Sequence, residues 1–328
     1  MFVRTAFLLL ISTSLFGAGV TYSGRQGPGL GKHIVFVAGD DAEYHSEEAL
    51  PALAKILAVR HGFTCTVLFS INPDDGAINP HEKRNIPGLE VLKTADLLVL
   101  FMRWRDLPDD QMKYFVDYFE SGRPIMAIRT GTHPFWFKTS KTYEKWSWNS
   151  TVPGWVGGFG RRVLGETWVA HHGKHGQQST RGIFAPGAAD SPILRGISDG
   201  EIWGPTEVYE VHLPLPSTCR PLVLGQVLSW VGSDADPVTG ELNNPMMPIA
   251  WTNSYHSARI FTSTIGSADD IENDAVRRMF VNAAYWTVGL EAKIPAKADV
   301  AFVGQYRPHS FLSEVYTAGV KPSDLALK

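Results

Sequence analysis

The chain has 328 residues, of which 44% are hydrophobic and 19% charged, an ordinary globular composition that excludes wholesale disorder. Its 30 Lys+Arg against 33 Asp+Glu leave a net charge of −3, which argues against a sequence-independent nucleic-acid binder. A mean hydropathy of −0.08 with no apolar run near twenty residues excludes a multi-span membrane protein, and two cysteines, Cys65 and Cys219, exclude a disulfide framework or a thiolate-rich metal site.

Arg4 precedes a mostly apolar stretch over 6–16, about 16 Å long as a helix and too short to cross a bilayer. Gly17, Ala18 and Gly19 follow, as at a signal-peptidase site. The expectation is a signal peptide and lead-in over 1–24, cleaved near 17–24. The mature protein is then periplasmic or secreted, with no membrane contact after cleavage. Residues 22–31 hold four glycines and one proline and read as a flexible lead-in.

A strand is expected over 33–37, then a helix capped by Ser46 with Glu47 and Glu48 in its first turn. Leu50, Leu53, Ile56 and Leu57 recur at helical spacing. Strands follow over 64–69 and 96–101. A helix over 109–121 carries an apolar stripe of Met112, Phe115, Val116 and Phe119 and stops at Gly122. A fourth strand covers 124–128. Continuous apolar strands alternating with helices indicate an α/β fold with a mainly parallel, doubly wound sheet covered on both faces. Residues 129–181 form a loop-rich stretch holding Trp136, Trp146, Trp148, Trp155 and Trp168. Strands are expected again over 207–212, 222–227, 248–251 and 258–264, and a last helix over 274–287. One domain over 32–290 is followed by an extended tail, 291–328, lying over it.

In open parallel sheets ligands sit beyond the carboxyl ends of the strands. The residues there are Asp40, Asp41, Tyr44 and His45, then Arg103 and Arg105, then Arg129, Thr130 and His133. Converging arginines suit an anion, a carboxylate or the hydroxyl edges of a sugar. The alternative is that Asp40, Asp41 or Glu47 ties up Arg103 and Arg129 in structural ion pairs. The run from Trp168 to Gly176 holds His171, His172 and His175. Gly173 and Gly176 argue for a loop, and a general acid–base role fits better than a metal set. The tryptophans are core, or one or two of them line a pocket against a sugar face. No phosphate-binding glycine motif follows a strand, so nucleotide binding is not supported.

Several blocks resemble the ThuA-like (trehalose-utilisation) family. They are Gly39-Asp-Asp-Ala-Glu-Tyr-His-Ser-Glu-Glu48, Ala127-Ile-Arg-Thr-Gly-Thr-His133, Pro248-Ile-Ala-Trp-Thr-Asn253 and Arg277-Arg-Met-Phe-Val-Asn-Ala-Ala-Tyr-Trp286. The tail segment Ile294-Pro-Ala-Lys-Ala-Asp299 is similar to that of exported bacterial members. The resemblance implies the flavodoxin-like fold of class I glutamine amidotransferases and a small carbohydrate ligand, including a 3-keto sugar. That fold carries a nucleophilic cysteine on a tight strand-to-helix elbow. Here Arg129 occupies the elbow position, so a glutaminase is rejected. Many members place histidine at the elbow and in a late Gly-His pair; this chain has Arg129 and Gly266-Ser267.

The expected function is proton abstraction on a carbohydrate, with elimination, isomerisation or hydrolysis. His133 or His172 would be the base and Arg129 with Arg103 the oxyanion clamp. Asp41, Tyr44, His45, Thr130, Trp168 and His175 would bind substrate, and neither a cofactor nor a metal is assigned. One alternative is a non-catalytic carbohydrate-binding or scaffolding protein on the same fold. Another is a metal-dependent hydrolase using His171, His172, His175 and an aspartate.

Overall fold

A computed structural model describes residues 19–327; most of the expected leader, residues 1–18, lies outside the described residues. The strands in chain order are β1 (Gly19–Ser23), β2 (His33–Gly39), β3 (Thr64–Phe69), β4 (Leu97–Met102), β5 (Ile125–Ile128), β6 (Ala170–His171), β7 (Thr180–Phe184), β8 (Ile202–Gly204), β9 (Tyr209–Glu210), β10 (Arg220–Val227), β11 (Met247–Tyr255) and β12 (Ala258–Ser263). The α-helices are α1 (Ser46–His61), α2 (Asp109–Glu120) and α3 (Asp274–Thr287). Among the described residues no helix is long and apolar enough to cross a membrane.

Ten strands form one sheet in the order β1-β3-β2-β4-β5-β12-β11-β10-β7-β8. The run from β3 to β12 is parallel, and the pairs on either side of it are antiparallel. The fold is α/β as expected, with a mixed sheet. Alternation along β2 explains its unbroken apolar run. Ile34, Phe36 and Ala38 enter the core shared with α1 and α3, while Val35 and Val37 enter the opposite core with α2.

Local differences from the sequence reading have physical causes. Ser46 is the first helical residue rather than the cap; His45 holds the cap position in a left-handed conformation without a side-chain cap. Asp40 does the capping from a distance, its carboxylate accepting from the backbone N–H groups of Tyr44 and Ser46 and from the Ser46 hydroxyl. The expected strand over 207–212 shrinks to β9, paired only with β6. The lead-in begins as β1, an edge strand antiparallel to β3 that buries Val20 and Tyr22.

The tail buries Ile294, Ala298, Val300 and Phe311 against the domain. Residues 309–313 cross above the carboxyl end of β2. His309 donates to Glu48, the Phe311 N–H donates to Asp269 at 2.9 Å, and the Ser310 carbonyl stands 3.0 Å from His45 Nε2.

Val20 and Tyr22 are 5% and 1% exposed, and burying each such side chain contributes about 1.5–3 kcal/mol. A chain starting at Gly19 should therefore melt several degrees above one starting at Gly24, by calorimetry. Equal midpoints would show that β1 adds nothing.

Candidate functional site

The loops after β2, β4 and β5 meet above the parallel strands. Five of the eight left-handed non-glycine residues among those described lie there: Asp41, Ala42, His45, Trp104 and Arg129. Such backbone is costly and clusters at functional sites. After β5 the chain turns at once through Arg129–Thr132, with Arg129 at φ 46°. A Cβ on Gly131 would stand 2.5 Å from the Leu100 carbonyl oxygen, so this turn admits only glycine there. The elbow geometry is present, with an arginine on it.

Arg129 is 1% exposed. Its Nη1 donates to the backbone carbonyls of Glu207 at 3.0 Å and Thr264 at 2.7 Å, and its Nη2 donates to Glu207 Oε1 at 3.0 Å. The guanidinium carbon lies 4.3 Å from the Tyr44 ring centre and 5.4 Å from that of Tyr209. Burial works to raise the Glu207 pKa. The Arg129 charge and hydrogen bonds from His171 and His175 outweigh it and hold the carboxyl well below the usual range.

The carboxylate then orients two imidazoles. His171 Nδ1 stands 3.0 Å from Oε1, and His175 Nδ1 stands 3.0 Å from Oε2. An ionised carboxylate only accepts, so each neutral ring carries its proton on Nδ1 and leaves Nε2 as a free base. Neither Nε2 has a hydrogen-bond partner among the described residues, and both rings are exposed.

His133 lies in an aromatic box, its ring centre 5.8 Å from Trp104, 5.4 Å from Trp168 and 6.4 Å from Tyr209. Burial, then the charges of Arg103, Arg129 and His171, push its pKa well below the ordinary value, so the ring is neutral. Trp168 joins the two halves of the site, touching His133 and, edge-on at 6.2 Å, His171. Beyond Trp168 opens a cavity of about 310 Å³ lined by Trp148, Asn149, Arg161 and His212. Phe311 from the tail lies parallel to Tyr44 and 5.4 Å from His175, edge-on, and so walls one side.

Arg129, Tyr44, His133, Trp168 and His175 thus come together, with Thr130 buried beside them. Other candidates are turned elsewhere. Asp41 is bound by Arg105 at 2.6 Å and by Lys83, and so is not free to orient substrate hydroxyls. Arg105 also donates to Ser70 and to the Pro80 and Glu82 carbonyls, pinning loops. Arg103 pairs with Glu43 and stacks on Trp104 at 4.0 Å. His45 contacts Glu47 and the tail. His172 Nε2 stands 2.8 Å from the Leu242 carbonyl oxygen and is engaged there. Arg129 has both Nη atoms engaged by Glu207 and two carbonyls rather than open toward the crevice as the expected oxyanion clamp would be. Arg103 and Arg129 are thus held in ion pairs, with Glu43 and Glu207 as partners rather than Asp40, Asp41 or Glu47.

Sequence reasoning missed Glu207, Tyr209 and Trp104. The one available signal was the alternation Glu207-Val-Tyr209, which places both polar groups on one face. The cysteines are free, Cys65 inside β3 and Cys219 away from the elbow.

The family described as "ThuA: Trehalose utilisation" matches residues 34–287. No curated protein matches. A ThuA-like protein from Bacteroides uniformis is similar in structure at TM-score 0.50 and 15% identity, covering 80% of this chain and 93% of that one. One from Parabacteroides merdae has TM-score 0.48 and 13% identity, covering 78% and 89%. A β-galactosidase from Rahnella sp. R3 has TM-score 0.42 and 14% identity, covering 81% of this chain and 32% of that one.

Replacing Arg129 by Met leaves a buried anion without its cation, a loss of about 3–5 kcal/mol in chemical denaturation. Adding Glu207→Gln to that variant should restore part of it. Because the folded-state pKa of Glu207 lies below its unfolded value of 4.5, this stabilisation is present above that pH and fades as pH falls. A wild-type-like Arg129→Met denaturation curve at pH 7 would contradict the assignment.

Proposed function

The chain belongs to the ThuA trehalose-utilisation family, matched over residues 34–287, and from that membership we propose that it is an exported enzyme acting on a small carbohydrate by proton transfer. One observation carries this reading: a buried carboxylate holds two exposed imidazoles by Nδ1 and leaves both Nε2 atoms unpartnered among the described residues, with the His171 ring against Trp168.

The arrangement follows the logic of an oriented base. Arg129 keeps Glu207 ionised, Glu207 selects the tautomer, and the exposed Nε2 takes a proton. Trp168 offers an apolar face for a sugar ring, and the cavity beyond it has room for a second unit. A keto sugar suits the centre because the C–H next to a ketone is acidic. The base removes that proton, the C–H electron pair forms the enolate, and its oxygen takes the negative charge. We assign the neutral His133 imidazole, a ring that does not ionise, to donate a hydrogen bond to that oxygen. His171 and His175 therefore take the base role first expected of His133 or His172. The glutaminase reaction stays rejected, since the elbow carries Arg129.

The test is incubation with disaccharides and their 3-keto forms, followed by mass spectrometry of products. Glu207→Gln and His175→Ala should each lower kcat by about 100-fold or more, while His256→Ala, at the distant β11–β12 turn, should leave turnover unchanged. Full turnover in both variants would refute the base assignment. Tight sugar binding in calorimetry with no product would make the protein a carbohydrate binder instead.

A further inference from the structure

We infer that His171, His175 and Glu207 form a binding site for a divalent cation of the zinc class. The inference rests on the reading of this centre as the working site and names the cofactor that it would take. Two imidazoles and one glutamate are the donor set of open catalytic zinc sites, which keep a fourth position for water or substrate. The three donor atoms lie within 4.8 Å of one another, and each Nδ1 is 3.0 Å from a carboxylate oxygen. Tetrahedral donors on bonds of about 2.0–2.1 Å stand about 3.3 Å apart, so small side-chain rotations admit an ion.

The charges and tautomers are compatible with that step. Each neutral imidazole moves its proton from Nδ1 to Nε2 and gives the lone pair to the cation, with no net proton released; Nε2 is then no longer a base, and in the cation-loaded site a cation-bound water would take the substrate proton in its place. Glu207 is already ionised, as a ligand must be. Arg129 holds the carboxylate from its buried side, the role of an outer partner that fixes a ligand's orientation. Its positive charge also opposes the ion, so binding is weaker than in a closed four-ligand site. The exposed faces of His171 and His175 give an entry path. His45, Glu48 and His309 also bring donor atoms close. There, however, the Ser310 carbonyl lies 3.0 Å from His45 Nε2 and the group fastens the tail.

Titration of dialysed full-length chain with zinc chloride in a calorimeter, with elemental analysis, should find one cation per chain. His171→Ala and His175→Gln should each weaken binding about 100-fold, and His45→Asn should leave it unchanged. Calorimetric melts of each variant show that it is folded. No binding, or binding indifferent to His171 and His175, overturns the site. Turnover that survives complete chelation yet still depends on His175 overturns the cation and keeps the proton-transfer reading. Binding of one cation with no turnover on any sugar keeps the site and overturns the enzyme.

Discussion

A guanidinium buried at the end of a β-strand must be compensated, and Arg129 is compensated by one carboxylate, two carbonyls and two aromatic faces. That cluster organises the crest of the sheet. It draws Glu207 from the β8–β9 region and Thr264 from the end of β12 onto the turn after β5. A buried ion pair adds little net stability over an apolar substitute. Its value here is directional, because Glu207 then has two fixed oxygens to offer, and His171 and His175 take one each.

The same economy explains the ring of left-handed residues. Asp41, His45, Trp104 and Arg129 sit in three successive loops, each in a left-handed conformation and each bonded outside its own loop, Asp41, His45 and Arg129 through side chains and Trp104 through its backbone N–H to the His133 carbonyl. Arg105 ties the loops after β2, β3 and β4 together from below. The tail does so from above, with Phe311 against Tyr44 and His175. The tight turn after β5 carries Arg129 in a left-handed conformation, with its guanidinium tied to Glu207 and two carbonyls.

Elements that bury a continuous or helically spaced apolar surface were legible in the residues. The 64–69 strand and the 274–287 helix match to the residue because their hydrophobic patterns end where their structure ends. β7 and β8 were missed, since Thr180-Arg-Gly-Ile-Phe has no continuous apolar run, Ile202-Trp-Gly is only three residues long, and both pair in the antiparallel half of the sheet. β1 was hidden by its position after a leader-like stretch, although it alternates buried and exposed residues. At the site, the strand-end rule located Tyr44, Arg129 and His133. It could not locate Glu207, because that residue reaches the crest from a loop whose path depends on the pairing of β6 with β9. Polarity alone also could not separate Arg105, Asp41 and His45, which hold loops and tail, from residues that face the crevice.

The account turns on which nitrogen of His171 and His175 carries the proton. Nitrogen NMR of histidine-labelled, cation-free protein at neutral pH reads this directly, with signals assigned through the His171→Ala and His175→Ala variants. The account predicts the Nδ1–H tautomer for both rings and its loss for at least one ring in Glu207→Gln. Nε2–H tautomers in the wild type, or spectra unmoved by Glu207→Gln, would contradict it.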